Sequence, residues 1–183
     1  LRLKLKTAPL LEPISQDVAK NHLKVDSADD NVLISALITT ARQLAERETN
    51  RAFITQTWQM YLDSAPEEIE IPKPPLQQVI DIKVISEAGD ESIVNSTLYD
   101  VDWSQNSPGR VRLKSGYSWP THRGFASFIV EFKAGYGDAA TDVPEALKQG
   151  ILQLLSHLYE NREAEEIPKG LKALFWPFKI LRI

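Results

Sequence analysis

Apolar residues recur at helical spacing near both ends of the chain and alternate in the stretch between. The clearest helix lies at 142–162, where Leu147, Ile151, Leu154, Leu155 and Leu158 make one broad apolar face. Asp142 is expected to cap it, with Pro144 one or two residues inside, where a missing N–H costs nothing. At ~1.5 Å per residue such a helix is roughly 30 Å long and needs a partner surface. That partner is expected near the N-terminus. Ser15 starts a short helix through Leu23 with Val18 and Leu23 inward, and Ser27–Asp30 opens a longer one ending at Thr49 or Asn50. On the longer helix Leu33, Leu37, Ala41 and Leu44 share a face, with Ile34, Ile38 and Ala45 beside it. Arg42, Glu46, Arg47, Glu48 and Arg51 crowd its last turns and read as a solvated, ion-paired end.

After Asn50 the period changes from 3.6 to 2. Runs at 54–62, 68–71, 79–85, 98–102, 110–113 and 127–132 are rich in β-formers and separated by Pro, Gly and Asn turns, among them Ala88-Gly89-Asp90. The opening run LRLKLKTAPLLEP reads as a strand or an extended arm, and Gly135-Tyr136-Gly137 as the turn back to helix. The fold class is therefore α+β, a helical bundle with a small antiparallel β block, barrel or sandwich, inserted between the long helices. All of 1–183 is expected to form a single domain, with a helical core over about 13–52 and 142–183 and the β insertion over about 53–134.

Composition narrows the function. With no cysteine, neither a disulfide framework nor a thiolate metal site is available. No apolar run approaches the ~18 residues of a membrane span, and the chain is expected to be soluble and intracellular. The net charge of −4 arises in the middle, where 53–141 carries seven Lys/Arg against twelve Asp/Glu. No basic stripe marks a nucleic-acid reader, although a protein that merely surrounds DNA needs none.

Candidate chemistry is sparse. His22, His122 and His157 have no metal-ligand spacing, and Gly135-x-Gly137 lacks the rest of a dinucleotide fingerprint. No cofactor is expected. Asp100 and Asp102 in YDVD share a face if that segment is a strand, and such a pair can bind a cation or act as acid and base in a hydrolase; a solvated strand edge explains them as well. Trp58, Trp103 and Trp119 in the β block are core or hairpin residues on one reading, and a stacking platform of a ligand- or carbohydrate-binding module on another. Beyond an acidic break at Glu163–Glu166, a last short helix runs from Pro168 or Lys169 through Leu174 to near Pro177. Leu171, Leu174, Phe175, Trp176, Phe178, Ile180 and Leu181 make this segment apolar enough to require burial on its own domain or on another chain.

The series of local motifs adds a further pointer. EPISQDVAKNHLKVD at 12–26 is followed by DDNVLISALITTARQLAERETNRAFITQTW, IPKPPLQQV, YDVD, SPGRVRL, FKAGYGD and VPEALKQGILQLLSHLYENRE. Together, over nearly the full length, these resemble the head–tail connector (head-completion adaptor) proteins of long-tailed bacteriophages and prophages. The resemblance implies a non-enzymatic structural protein made in the bacterial host cytoplasm and carried at the head–tail junction of the virion. It implies a homo-oligomeric ring of about a dozen subunits that joins the portal protein to the tail-completion or stopper protein and lets DNA pass without sequence-specific binding. By the same resemblance, Leu171, Leu174, Phe175, Trp176, Phe178 and Ile180 are the candidate partner interface.

Overall fold

The computed structural model of the protein describes residues 1–104, 106–161 and 167–181. It is an α+β structure of four α-helices and antiparallel sheets, divided into two compact units, Leu1–Ala8 with Thr55–Gly135 and Pro9–Ile54 with Tyr136–Ile183.

The helical unit holds α1 (Gln16–Leu23), α2 (Asn31–Thr49), α3 (Glu145–Glu160) and α4 (Lys169–Phe175), the last followed by a 3-10 turn at Trp176–Phe178. Ser15 caps α1, its Oγ accepting the Val18 N–H at 3.3 Å. Lys24 and Asn50 end α1 and α2 in left-handed conformations, φ 56° and 57°. Ala19 is the buried residue of α1, whereas Val18, expected inward, is 47% exposed. The deepest stripe of α2 is Ile34, Ile38, Ala41 and Ala45, with Leu33, Leu37 and Leu44 half-buried at its side. On α3 all five expected apolar residues are buried, joined by Gly150 and Leu152. Asp142 does not cap α3. It closes the preceding 3-10 turn, where its Oδ2 accepts the Ala139 N–H at 2.9 Å, and Pro144 occupies the cap position. The expected extension of α3 to Arg162 and the acidic break at Glu163–Glu166 lie outside the described residues.

The charged end of α2 is solvated only in part, with Arg47 exposed and Glu48 half-buried. Arg42, Glu46 and Arg51 are buried. Arg42 Nε reaches Glu12 at 2.6 Å and Arg42 Nη1 reaches Glu46 at 2.7 Å, while the other Glu46 oxygen accepts the Phe53 N–H at 2.8 Å. The expected i,i+4 pairing is present, but inside the unit, where it ties the loop after α2 to the helix. Burial opposes the Arg42 charge, but the Glu12 hydrogen bond and the neighbouring Glu46 carboxylate outweigh it and hold the guanidinium above its ordinary pKa.

The β unit holds β1 (Arg2–Thr7), β2 (Gln56–Leu62), β3 (Glu68–Ile71), β4 (Leu76–Ile85), β5 (Glu91–Ile93), β6 (Tyr99–Asp102), β7 (Gly109–Leu113) and β8 (Phe128–Ala134). Five form one sheet, ordered β1-β2-β8-β4-β5, and three form a second, β3-β7-β6. The N-terminal run is thus a strand, paired antiparallel with β2. Period-2 patterning decides the faces. Met60, Val130 and Ile82 stand in register on one face of the larger sheet, all at 0% exposure, and Gln59, Glu131 and Asp81 stand on the other. On the smaller sheet Ile69, Ile71 and Val111 are buried. Gly109 lets β7 approach β4, since a Cβ there would lie 2.3 Å from Leu76 Cδ2.

Candidate interaction surfaces

The apolar C-terminal segment is folded back onto its own unit. Phe175 is fully buried, its ring over Gly150 of α3, where a Cβ would lie 2.6 Å from the ring edge. Leu171 and Phe178 pack partly buried against the same core. The end of α2 then holds the segment by polar groups. The Ile180 N–H donates to the Thr49 carbonyl at 2.9 Å, Asn50 Nδ2 donates to the Ile180 carbonyl at 2.9 Å, and Arg51 Nε donates to the Phe178 carbonyl. Lys179 Nζ pairs with Glu48 at 2.7 Å. The Ile180 N–H thereby satisfies a carbonyl that the C-terminus of α2 would otherwise leave open, and Lys179 stands where the helix dipole favours a cation.

The six residues expected at an interface therefore divide. Phe175 is a core anchor, Leu171, Phe178 and Ile180 lie half-buried along the docked segment, and Leu174 and Trp176 face outward at 39% and 62% exposure. Leu181 joins the outward side at 61%. Trp176 walls a groove of about 420 Å³ with Lys169, Lys172 and Ala173. Sequence reasoning missed the polar tether from Glu48, Asn50 and Arg51. Its signal was the charge cluster at the end of α2, more than a surface helix end needs.

In the β unit Asp100 and Asp102 do share a face, on the edge strand β6, where both are exposed. Asp102 pairs with Arg110 at 2.7 Å and Asp100 lies 3.6 Å from Lys114; on the other edge Glu68 pairs with the same Arg110. The arrangement is an acid–base–acid ladder across three strands. The tryptophans have three different surroundings. Trp119 donates to the Pro66 carbonyl at 3.1 Å and meets Phe128 edge-on at 5.5 Å; Trp58 lies under Lys73 Nζ at 5.7 Å; Trp103 is 48% exposed. A groove of about 650 Å³ runs along Asp100, Arg112, Tyr117 and Trp119.

On the polar face of the larger sheet, Glu131 is 7% exposed and gripped by Lys6 Nζ at 2.6 Å and 2.7 Å and by Gln59 at 3.0 Å. Burial pushes its pKa up, but those hydrogen bonds outweigh burial and leave it below the ordinary value. Asp81 stands opposite in register, and burial followed by the Glu131 charge raises its pKa. Among the described residues no group of three or more His, Asp or Glu side chains gathers to hold a metal ion, and no helix is long and apolar enough to cross a membrane.

The helical unit clasps its own apolar tail, and the smaller sheet of the β unit spends Asp102, Arg110 and Glu68 on one another; both arrangements are structural. The matching family profile is that of the phage gp6-like head-tail connector proteins. It covers residues 15–111, over half of the chain, and the chain belongs to this family of structural connector proteins. Solved structures share the fold over the whole chain. A chain from the "Neck of empty GTA particle computed with C6 symmetry" superposes with a TM-score of 0.85 at 21% identity, covering 100% of this chain and 97% of that one. Chains from the "Virion of native gene transfer agent (GTA) particle" and the "Neck of native GTA particle computed with C12 symmetry" give 0.83 at 20% and 0.77 at 21%, with the same coverage. Among curated proteins none matches.

Proposed function

We propose that this protein is a subunit of a homo-oligomeric ring of about a dozen copies at the head–tail junction of a phage-like particle. The ring joins the portal protein to the tail-completion or stopper protein and surrounds the DNA without reading its sequence. On this reading the helical unit is a bundle that builds the ring wall, and the two sheets of the β unit pack as a small sandwich. The subunit is made in the host cytoplasm and ends in the virion. The observation that carries the proposal is likeness along the entire chain to a chain of a particle neck, in a family of head–tail connectors. The outward Leu174, Trp176 and Leu181 support it, because a monomer gains nothing by exposing them beside a buried Phe175. They are assigned to contact with a neighbouring subunit or the portal.

Mass photometry of the full chain, alone and with the portal protein, tests this. A ring-sized species is expected, and a Leu174→Asp/Trp176→Asp variant, which leaves Phe175 in place, is expected to lose it. A chain that stays monomeric in both mixtures overturns the proposal; a variant that assembles normally overturns the assignment of the tail. A second reading, a ligand-binding β module, is favoured by the groove at Tyr117 and Trp119. Tryptophan fluorescence unmoved by a glycan panel rejects it.

A further inference from the structure

The larger sheet has two open edges. Among the described residues β1 pairs only with β2, and β5 only with β4. An edge strand of an antiparallel sheet leaves alternate N–H and C=O groups pointing outward, a template for another strand. Natural edges are blunted by charged side chains, Lys above all. Here the two edges carry an excess of opposite sign.

On the β1 edge the charges are Arg2, Lys4 and Lys6. Lys6 is spent on Glu131. Arg2 lies over the Tyr61 ring at 4.5 Å, which leaves its charge uncancelled, and Lys4 is exposed and in no salt bridge among the described residues. The opposite edge is the β4–β5 hairpin, with Glu87 and Asp90 in its turn and Glu91 on β5. Glu91 is spent on Lys83 at 3.3 Å, which leaves Glu87 and Asp90 exposed and unneutralised. After internal pairing, two positive charges remain at one end of the sheet and two negative charges at the other. Apolar side chains accompany both, Leu5 at 41% exposure on β1 and Ile93 at 67% on β5.

Opposite edges of one sheet cannot meet within one molecule. A two-fold dimer would set β1 against β1 and Arg2/Lys4 against their own copies. Head-to-tail contact between copies satisfies both ends at once, and repetition of such a contact closes a ring when the rotation allows. We propose that the β1 edge of one subunit docks on the β4–β5 hairpin edge of the next, guided by Arg2 and Lys4 against Glu87 and Asp90. This rests on the ring reading above and adds which two surfaces meet.

Two charge-reversed full-length chains test it, Arg2→Glu/Lys4→Glu and Glu87→Lys/Asp90→Lys, all at exposed positions. Each chain alone should lose about tenfold or more of its ring-sized species at physiological salt. Mixed in equal amounts they should assemble again, because each reversed edge then meets a reversed partner and each native edge a native one. A misfolded variant could not be rescued in this way, so failure to recover in the mixture counts against the edges, as does normal assembly of either variant alone. Both results leave the ring reading standing if the unaltered chain assembles. An unaltered chain that stays monomeric with and without the portal protein overturns both.

Discussion

Replacing Gly150 by alanine sets two physical effects against each other. Glycine inside a helix costs about 1 kcal/mol relative to alanine, so Gly150→Ala should stabilise α3 by that amount in isolation. In the folded chain the new Cβ would stand 2.6 Å and 2.8 Å from two atoms of the Phe175 ring, well inside contact distance. The ring is fully buried. Overpacking of this kind costs about 1–3 kcal/mol, so the net change in the full chain is a destabilisation of about 0–2 kcal/mol. Phe175→Ala by itself should cost about 3–5 kcal/mol by opening a cavity under α4. In that background the obstacle is gone, and Gly150→Ala should stabilise by about 1 kcal/mol. The coupling between the two sites is the overpacking itself, about 1–3 kcal/mol, read as a double-mutant cycle in urea denaturation followed by far-UV circular dichroism. If Gly150→Ala stabilises the unaltered chain as much as the Phe175→Ala chain, the tail is not seated on α3 and its docking as described here is wrong.

Three further outcomes follow from charge held inside the units. Glu46→Ala should cost about 3–5 kcal/mol in the same denaturation assay, since it leaves Arg42 buried with half its pairing and the Phe53 N–H without its acceptor; a loss under about 1 kcal/mol would place the pair in solvent. Asp81 has a folded pKa above its unfolded value, so its contribution is most favourable at low pH and is lost as pH rises through the folded pKa. Asp81→Asn should therefore raise Tm at pH 8 and lose that advantage as pH falls through the folded pKa, and an advantage that grows toward acid pH would contradict the assignment. Glu131 runs the other way. With its folded pKa lowered, Glu131→Gln should destabilise above the ordinary carboxylate range, with the loss fading as pH falls through the folded pKa.

Periodicity revealed which segments are helix or strand, because a 3.6 or 2 repeat follows directly from which face is buried. Leu147, Ile151, Leu154, Leu155 and Leu158 are all buried on α3, and the strand runs recur within a few residues of their expected bounds. Composition said less about polar residues, since it carries no partner. Arg42 and Glu46 look like any surface i,i+4 pair until Glu12, thirty residues upstream, is brought beside them. Asp142 resembles a helix cap because its side chain suits that role, yet the 3-10 turn at Ala140–Asp142 claims it first. Of the six tail residues, sequence showed that they need cover but not which cover each finds; only the position of Gly150 separates Phe175 from Trp176. The β5 strand, three exposed residues long, has no periodicity to read, and the sheet edge it forms was invisible for that reason.

The insertion of a sheet unit between two helical segments raises the question of how the helical unit tolerates it. The chain leaves that unit after Ile54 and returns at Tyr136. There the helical unit makes its own closure. The Tyr136 N–H donates to the Phe53 carbonyl at 2.9 Å, and Ile54 bridges Gly137 in parallel. Phe53 and Ile54 are buried in the helical core, and the Phe53 N–H is held by Glu46. The two ends of the insertion are therefore fixed by α2 and by each other, and everything from Thr55 to Gly135 is, for the helical unit, a loop whose ends already meet. The entropy of closing a loop grows only with the logarithm of its length, so a large insertion costs little more than a small one once its ends are bonded. The buried Arg42–Glu46 pair is part of that closure. It stabilises little by itself, but through the Phe53 N–H it fixes the loop that follows α2 within the helical unit.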